Sequence, residues 1–139
     1  TFDAIGYGLA NNEAEWAKEL ELITLKAKEI LDEKPDLSII VYAFMDRMQH
    51  YLWGTPELVE WYRKIDKVVG ELVEYDDEII IISDHGFCAF GDSEHRTVKQ
   101  SQNIKGEHDS DAILITKNIP GEINRPEDIF YTIKKVLKC

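Results

Sequence analysis

Four consecutive isoleucines, Ile79 to Ile82, are the feature that most constrains the fold of this chain. A β-branched run without polar alternation is typical of a short strand that is covered on both faces. Residues 37–44 are apolar over nearly their whole length and predict a second strand of the same kind. Because strands covered on both faces occur mainly in α/β proteins, we expect a mostly parallel sheet with helices on each side.

Amphipathic patterns around these runs supply the helices that such a sheet requires. The predicted elements are a helix capped by Asn12, a helix from Pro56 to about Tyr75, a strand over residues 112–116 and a last helix from Pro126. Residues 86–111 are polar and aperiodic, which indicates a long, functional loop. The pattern predicts a three-layer α/β/α fold.

Composition limits the domain count and the class of partner. A chain of 139 residues with 44% hydrophobic residues is expected to form one domain. Its 27 acidic and 16 basic residues give a net charge of −11, which argues against a surface that binds nucleic acid or anionic membranes. Cys88 and Cys139 form no disulfide framework, and no apolar run approaches the roughly 18 residues of a membrane span. We expect a protein that lies in the cytoplasm.

Two pairs of metal-ligating side chains follow the predicted strands. Asp46 and His50 are four residues apart, so they would share one side of a helix if the chain turns helical there. Asp84 and His85 come directly after the isoleucine strand, and Gly86 would allow an unusual backbone turn that brings both to one centre. The alternative for each pair is a capping aspartate beside a solvated histidine.

His108 lies near the end of the predicted loop and is the fifth candidate ligand. A loop histidine and its acidic neighbours are also compatible with simple solvation. His95 stands in an equally polar stretch without further signal, so we assign it to the surface. Ligands in α/β sheets bind beyond the carboxyl ends of the strands. Together the candidates therefore predict most of a two-ion site suited to zinc or manganese.

In this order, the motifs Asp46-x-x-x-His50, Ser83-Asp84-His85-Gly86-Phe87 and Gly106-x-His108 resemble those of a known family. They are similar to the C-terminal motifs of the alkaline phosphatase superfamily, in its type I phosphodiesterase and nucleotide pyrophosphatase branch. The resemblance spans about residues 36–116. It implies an alkaline-phosphatase-like fold of which this chain is only the C-terminal portion.

The resemblance also implies how the ligands are divided. Asp46, His50 and His108 would hold one divalent metal, and Asp84 and His85 would help to hold the other. The family completes the second ion with an upstream aspartate and a nucleophilic threonine or serine, and neither is identifiable here. We therefore expect residues 1–139 to be a single domain that is the C-terminal fragment of a larger catalytic domain and lacks the nucleophile. Asp66, on the helix between the motifs, receives no ligand role.

The expected function is metal-dependent hydrolysis of phosphodiester or pyrophosphate bonds by the full protein, with a phosphate ester or nucleotide as substrate. The alternatives are a phosphomonoesterase, a sulfatase or a phosphoglycerate mutase on the same scaffold, or a metal-binding domain without catalysis. The helix from Pro56 is expected to expose Trp61, which would suit a partner, and Cys88 is expected to be an inert thiol. A sheet that is cut midway would expose an edge and favour a homo-oligomer.

Overall fold

The computed structural model describes residues 12–93 and 103–138. In chain order the elements are α1 (Glu13–Asp32), α2 (Phe44–Leu52), α3 (Pro56–Leu72), β1 (Ile79–Ile82), β2 (Gly86–Ala89), β3 (Gly106–Asp109), β4 (Leu114–Lys117) and α4 (Pro126–Leu137). The mixture of helices and short strands confirms the predicted α/β class. His95 lies outside the described residues.

The predicted helices form close to their expected bounds because their local start signals are strong. At the start of α1, the Asn12 side chain accepts a hydrogen bond from the Glu15 backbone N–H at 3.1 Å. Pro56 and Pro126 occupy the first turns of α3 and α4, where a missing N–H costs nothing. The short helix α2 contains both Asp46 and His50, as the four-residue spacing required.

The described hydrophobic core lies between the first three helices. Trp61 is 2% exposed and makes edge-on ring contacts with Trp16 and Phe44, at centroid distances of 6.2 and 6.0 Å. Met48 and Leu58 complete this cluster. The expectation that Trp61 is exposed is therefore wrong. The buried face of α3 runs through Leu58 and Trp61 because this helix packs on other helices, and not on a sheet.

The strands form two separate antiparallel pairs. β1 pairs with β4, so that Ile80 lies opposite Thr116, and β2 pairs with β3. A parallel pair needs a crossover connection, usually a helix, whereas the chain between β1 and β4 contains the β2–β3 pair. The described residues therefore do not show the expected three-layer arrangement around a mostly parallel sheet.

Residues 37–43 are not part of either sheet, although their sequence predicted a buried strand. Leu37, Ile39 and Val41 are 47%, 76% and 66% exposed, while the residues between them are partly covered. The alternation has the period of a strand. A ladder also needs a neighbouring strand, and the described part of the chain places none beside this segment. The prediction of a strand at this position is wrong for that reason.

The predicted loop over residues 86–111 begins and ends with strands. β2 and β3 pair in the register Gly86 with Asp109 and Phe87 with His108, which forms a β-ribbon. Both strands are short and mixed in composition, so no apolar alternation indicated them in the sequence. Among the described residues, every helix is too short or too polar to span a bilayer.

Candidate metal centre

Helix α2 supplies two side chains of the candidate site. Phe44 and Met48 are fully buried and hold one face of this helix against α1 and α3. Asp46 and His50 lie on another face, one turn apart, with 3.7 Å between Asp46 Oδ1 and His50 Nε2. Packing of the apolar face therefore sets the direction in which both ligands point.

The β-ribbon docks on the C-terminal end of α2 and brings His108 to the same place. The Lys105 backbone N–H donates to the His50 carbonyl oxygen at 2.7 Å. The Gly106 carbonyl oxygen lies 2.8 Å from His50 Nδ1. A Cβ atom on Gly106 would lie 2.7 Å from Trp53 Cβ and 2.8 Å from the Gln49 carbonyl oxygen. Only glycine allows β3 to approach α2 this closely.

One carboxylate oxygen faces three imidazoles. Asp46 Oδ1 lies 2.9 Å from His108 Nε2, 3.5 Å from His85 Nε2 and 3.7 Å from His50 Nε2. The metal-binding atoms of Asp46, His50 and His108 all lie within 4.8 Å of one another. Histidine nitrogen and carboxylate oxygen are the ligand types that zinc and manganese accept. The structure thus brings together a three-ligand group that fits one divalent ion.

Backbone carbonyls hold two of the imidazoles in a ligand-competent tautomer. A carbonyl oxygen can only accept, so Nδ1 of His50 must carry the proton that is donated to Gly106. Nδ1 of His85 donates to the Gly86 carbonyl oxygen at 3.0 Å in the same way. In the neutral form of each ring, Nε2 carries no proton, and in both residues this nitrogen points toward Asp46. Such outer contacts are typical of metal-ligating histidines, so the residues fit a metal.

His85 lies against the three-ligand group, whereas Asp84 is at its margin. The His85 ring stacks on the His108 ring with centroids 3.7 Å apart. The Asp84 side chain is 92% exposed, and its Oδ1 atom is 3.6 Å from His85 Nε2. The described structure therefore places all five predicted ligands in one neighbourhood, with Asp84 the most accessible to solvent.

A sequence comparison agrees with the chemistry of this site. The family model described as type I phosphodiesterase / nucleotide pyrophosphatase matches residues 9–130, which is most of the chain. The chain belongs to the type I phosphodiesterase and nucleotide pyrophosphatase family. The resemblance of the three motifs to this branch is thus confirmed. Searches of curated protein sequences and of solved structures gave no match.

Gly86, in the most specific family motif of the chain, serves a different purpose from the one predicted. It does not appear among the described glycines with positive φ, so no left-handed turn requires it. A Cβ atom there would lie 2.1 Å from the Asp111 carbonyl oxygen. The glycine is needed for a close approach between two backbone segments, which a single sequence cannot reveal.

Two residues at the candidate metal centre, Phe87 and Glu107, were not identified from the sequence. Phe87 packs between the imidazoles, with its ring centroid 4.9 Å from that of His50 and 5.2 Å from that of His108. Glu107 is completely buried beside His108, although the sequence suggested a solvated acid. Recognition of β3 as a strand would have revealed Glu107, because adjacent residues of a strand face opposite sides.

Cys88, the other candidate for reactivity near the site, has an unfavourable environment for nucleophilic attack. Burial raises the pKa of its thiol, and the negative charges of Asp109, Glu107 and Asp92 raise this pKa further. The thiolate is the reactive form, so both effects lower reactivity at neutral pH. This environment favours the predicted inert thiol.

Proposed function

We propose that the full protein hydrolyses phosphodiester or pyrophosphate bonds, with phosphate esters or nucleotides as substrates. Membership of a family of phosphodiesterase-type hydrolases supports the reaction class. The observation that carries the proposal is the convergence of three imidazole nitrogens on the Oδ1 atom of Asp46. Imidazole nitrogens and a carboxylate oxygen gathered at one place are the ligand set that a divalent metal uses.

The proposed centre holds two divalent ions, zinc in preference to manganese. Asp46, His50 and His108 would bind the first ion, and this division is supported by the short distances between their ligand atoms. Asp84 and His85 would contribute to the second. The exposed Asp84 carboxylate and the inward His85 ring are in contact range of each other, which is compatible with a shared ion.

When bound, such ions stabilise the attacking and leaving oxygens of an in-line displacement at phosphorus. The residues of this chain orient the histidine side chains that would hold these ions. Gly106 and Gly86 fix the histidine tautomers through their carbonyl oxygens, and Phe87 packs against the imidazole rings. Local positive charge is needed because a net charge of −11 would otherwise repel an anionic substrate. We propose that a larger catalytic domain supplies the nucleophile, so that this chain alone binds metal but turns over little.

The remaining assignments are part of the same proposal. The substrate is a small phosphate ester or nucleotide, and the acidic surface does not suit nucleic acid. We assign the protein to the cytoplasm and propose that copies associate through an exposed sheet edge, because both strands of the β1–β4 pair have one unpaired edge in the described structure.

Zinc titration by calorimetry tests the centre directly. We expect Asp46→Ala and His50→Ala to abolish tight binding, and Asp66→Ala, an exposed helical aspartate, to leave it unchanged. The full-length protein is then assayed with zinc or manganese on chromogenic phosphodiester, phosphomonoester and sulfate ester substrates. Hydrolysis of the diester is expected. Exclusive turnover of another ester would assign a different reaction, and inactivity on all three would contradict the hydrolase proposal.

A further inference from the structure

Glu107 is a fully buried acid whose position next to His108 calls for a physical explanation. Its side chain is 0% exposed. One carboxylate oxygen, Oε1, accepts hydrogen bonds from the backbone N–H groups of Gly91 at 2.8 Å and Ser93 at 3.1 Å. The other, Oε2, is buried and has no hydrogen-bond partner among the described residues. Burial of a carboxylate is costly, and the two hydrogen bonds to Oε1 offset part of that cost.

These two bonds close the turn that follows β2. Within this turn Gly91 has a φ of +103°, and the Asp92 backbone N–H donates to the Ala89 carbonyl oxygen at 3.0 Å. The Phe90 backbone N–H donates to the Lys105 carbonyl oxygen at 2.9 Å and so joins the two sides of the ribbon next to this turn. The buried Glu107 carboxylate therefore links the turn to β3 through these two hydrogen bonds.

Strand β3 carries both Glu107 and the candidate metal ligand His108. Glu107 and His108 are adjacent on β3, so their side chains leave on opposite faces. On one face Glu107 is held by the turn, and on the other His108 reaches Asp46 at 2.9 Å. Gly106, directly before them, contacts α2 through His50. A shift or rotation of β3 would thus move the His108 nitrogen relative to both ligands of α2.

We propose that Glu107 is a positioning residue of the metal centre, which sets the place of His108 by anchoring the Gly91 and Ser93 amides to β3. This inference rests on the proposed metal centre. The requirement is for a buried acceptor of two N–H groups, and not for negative charge as such. Glutamine, which keeps a carbonyl oxygen at the same position, therefore substitutes for glutamate, whereas leucine, of similar size but without an acceptor, does not.

The test compares Glu107→Gln, Glu107→Leu and a control, Glu19→Leu. Glu19 on α1 is equally buried and also has one carboxylate oxygen without a partner in the described part of the chain, but its other oxygen pairs with Arg47 and not with the ribbon. Each 139-residue variant is titrated with zinc, and its cobalt(II) complex is examined by visible absorption, which reports on coordination geometry. The free energy of unfolding is measured in parallel.

Glu107→Leu is expected to weaken zinc binding by about 10–100-fold, the range found when outer contacts of metal ligands are removed. Its cobalt spectrum is expected to change. Glu107→Gln should stay within about 3-fold of wild type, because a neutral acceptor is weaker than a charged one but occupies the same place. Glu19→Leu should lower stability while its cobalt spectrum stays unchanged.

Three results would overturn the inference alone: wild-type affinity in Glu107→Leu, equal losses in Glu107→Gln and Glu107→Leu, or the same spectral change in Glu19→Leu. Absence of zinc binding in the wild type would instead overturn the proposed function, and this inference with it. A measurement on the wild type covers the case in which Glu107→Leu does not fold. Zinc is expected to slow hydrogen exchange at the Gly91 and Ser93 amides, and unchanged exchange there would contradict the proposed coupling.

Discussion

The helices α1 to α3 (the helical group) and the elements β1, β4 and α4 (the strand group) differ in how far their apolar side chains are buried. The helical group contains every residue of the described hydrophobic core, including Trp16, Phe44 and Trp61. In the described structure no apolar side chain of the strand group belongs to the buried core, and its exposed ones are Ile82, Leu114, Ile115, Phe130 and Tyr131. The candidate metal centre lies where the β-ribbon docks on the packed helical group. Asp46, His50 and His108 thus lie beside the helices that share the described core.

The first prediction compares one aromatic residue from each group. Trp61→Ala is expected to lower the free energy of unfolding by about 3–5 kcal/mol, because it removes the centre of the core. Phe130→Ala, at a side chain that is 62% exposed, is expected to change it by less than about 0.5 kcal/mol. Urea denaturation measures both. A large effect of Phe130→Ala would show that the strand group is covered in solution.

The second prediction concerns the contact between the ribbon and α2. Gly106→Ala is expected to destabilise the protein by about 1–3 kcal/mol, because the added methyl group would overlap Trp53 and the Gln49 carbonyl. Zinc affinity should fall as well, since His108 moves with β3. Gly70→Ala is the matched control, because nothing lies within 4 Å of its added Cβ atom. This helical substitution should stabilise by about 0.5–1 kcal/mol. Equal effects of the two substitutions would contradict the close approach at Gly106.

The third prediction tests whether the exposed strands pair with another copy. Ile115 lies on β4 and is 56% exposed. If copies associate at this edge, Ile115→Lys should raise the dissociation constant by about 10-fold, which is about 1.4 kcal/mol. Analytical ultracentrifugation over a concentration series measures the change. Lys18→Glu, on the exposed surface of α1, is the control. A wild-type protein that stays monomeric at high concentration would rule out this association.

The smallest expected effect is the pH dependence of the start of α4. Hydrogen bonds from the backbone N–H groups of Asn124 and Arg125 hold the pKa of Asp128 below its ordinary value of 3.8. Because the pKa is lower in the folded state, the stabilisation is present above 3.8 and is lost as the pH falls through the folded value. Asp128→Ala should therefore be less stable than wild type at neutral pH. The difference between their urea midpoints should shrink in acid, and a difference independent of pH would contradict this origin.

Local signals predicted the elements whose stability depends on nearby residues. Asn12, Pro56 and Pro126 start helices through contacts within one turn, so the sequence alone located α1, α3 and α4. The isoleucine run formed a strand, but its pairing is antiparallel and its side chains are only partly covered, so the predicted two-sided cover is wrong. Residues 37–43 did not enter a sheet, since a strand needs a neighbour that local sequence does not specify.

For the candidate site too, some features follow from local sequence and others only from the tertiary structure. The sequence determined which side chains have metal-binding chemistry, and the spacing of Asp46 and His50 required only a helix between them. The tertiary structure decided that Asp46 Oδ1 faces three imidazoles, that Gly86 and Gly106 allow close backbone approaches, and that Glu107 is buried. These features depend on contacts between residues far apart in the chain. The sequence specifies which metal-binding side chains are present, but only packing of the chain brings them to one place.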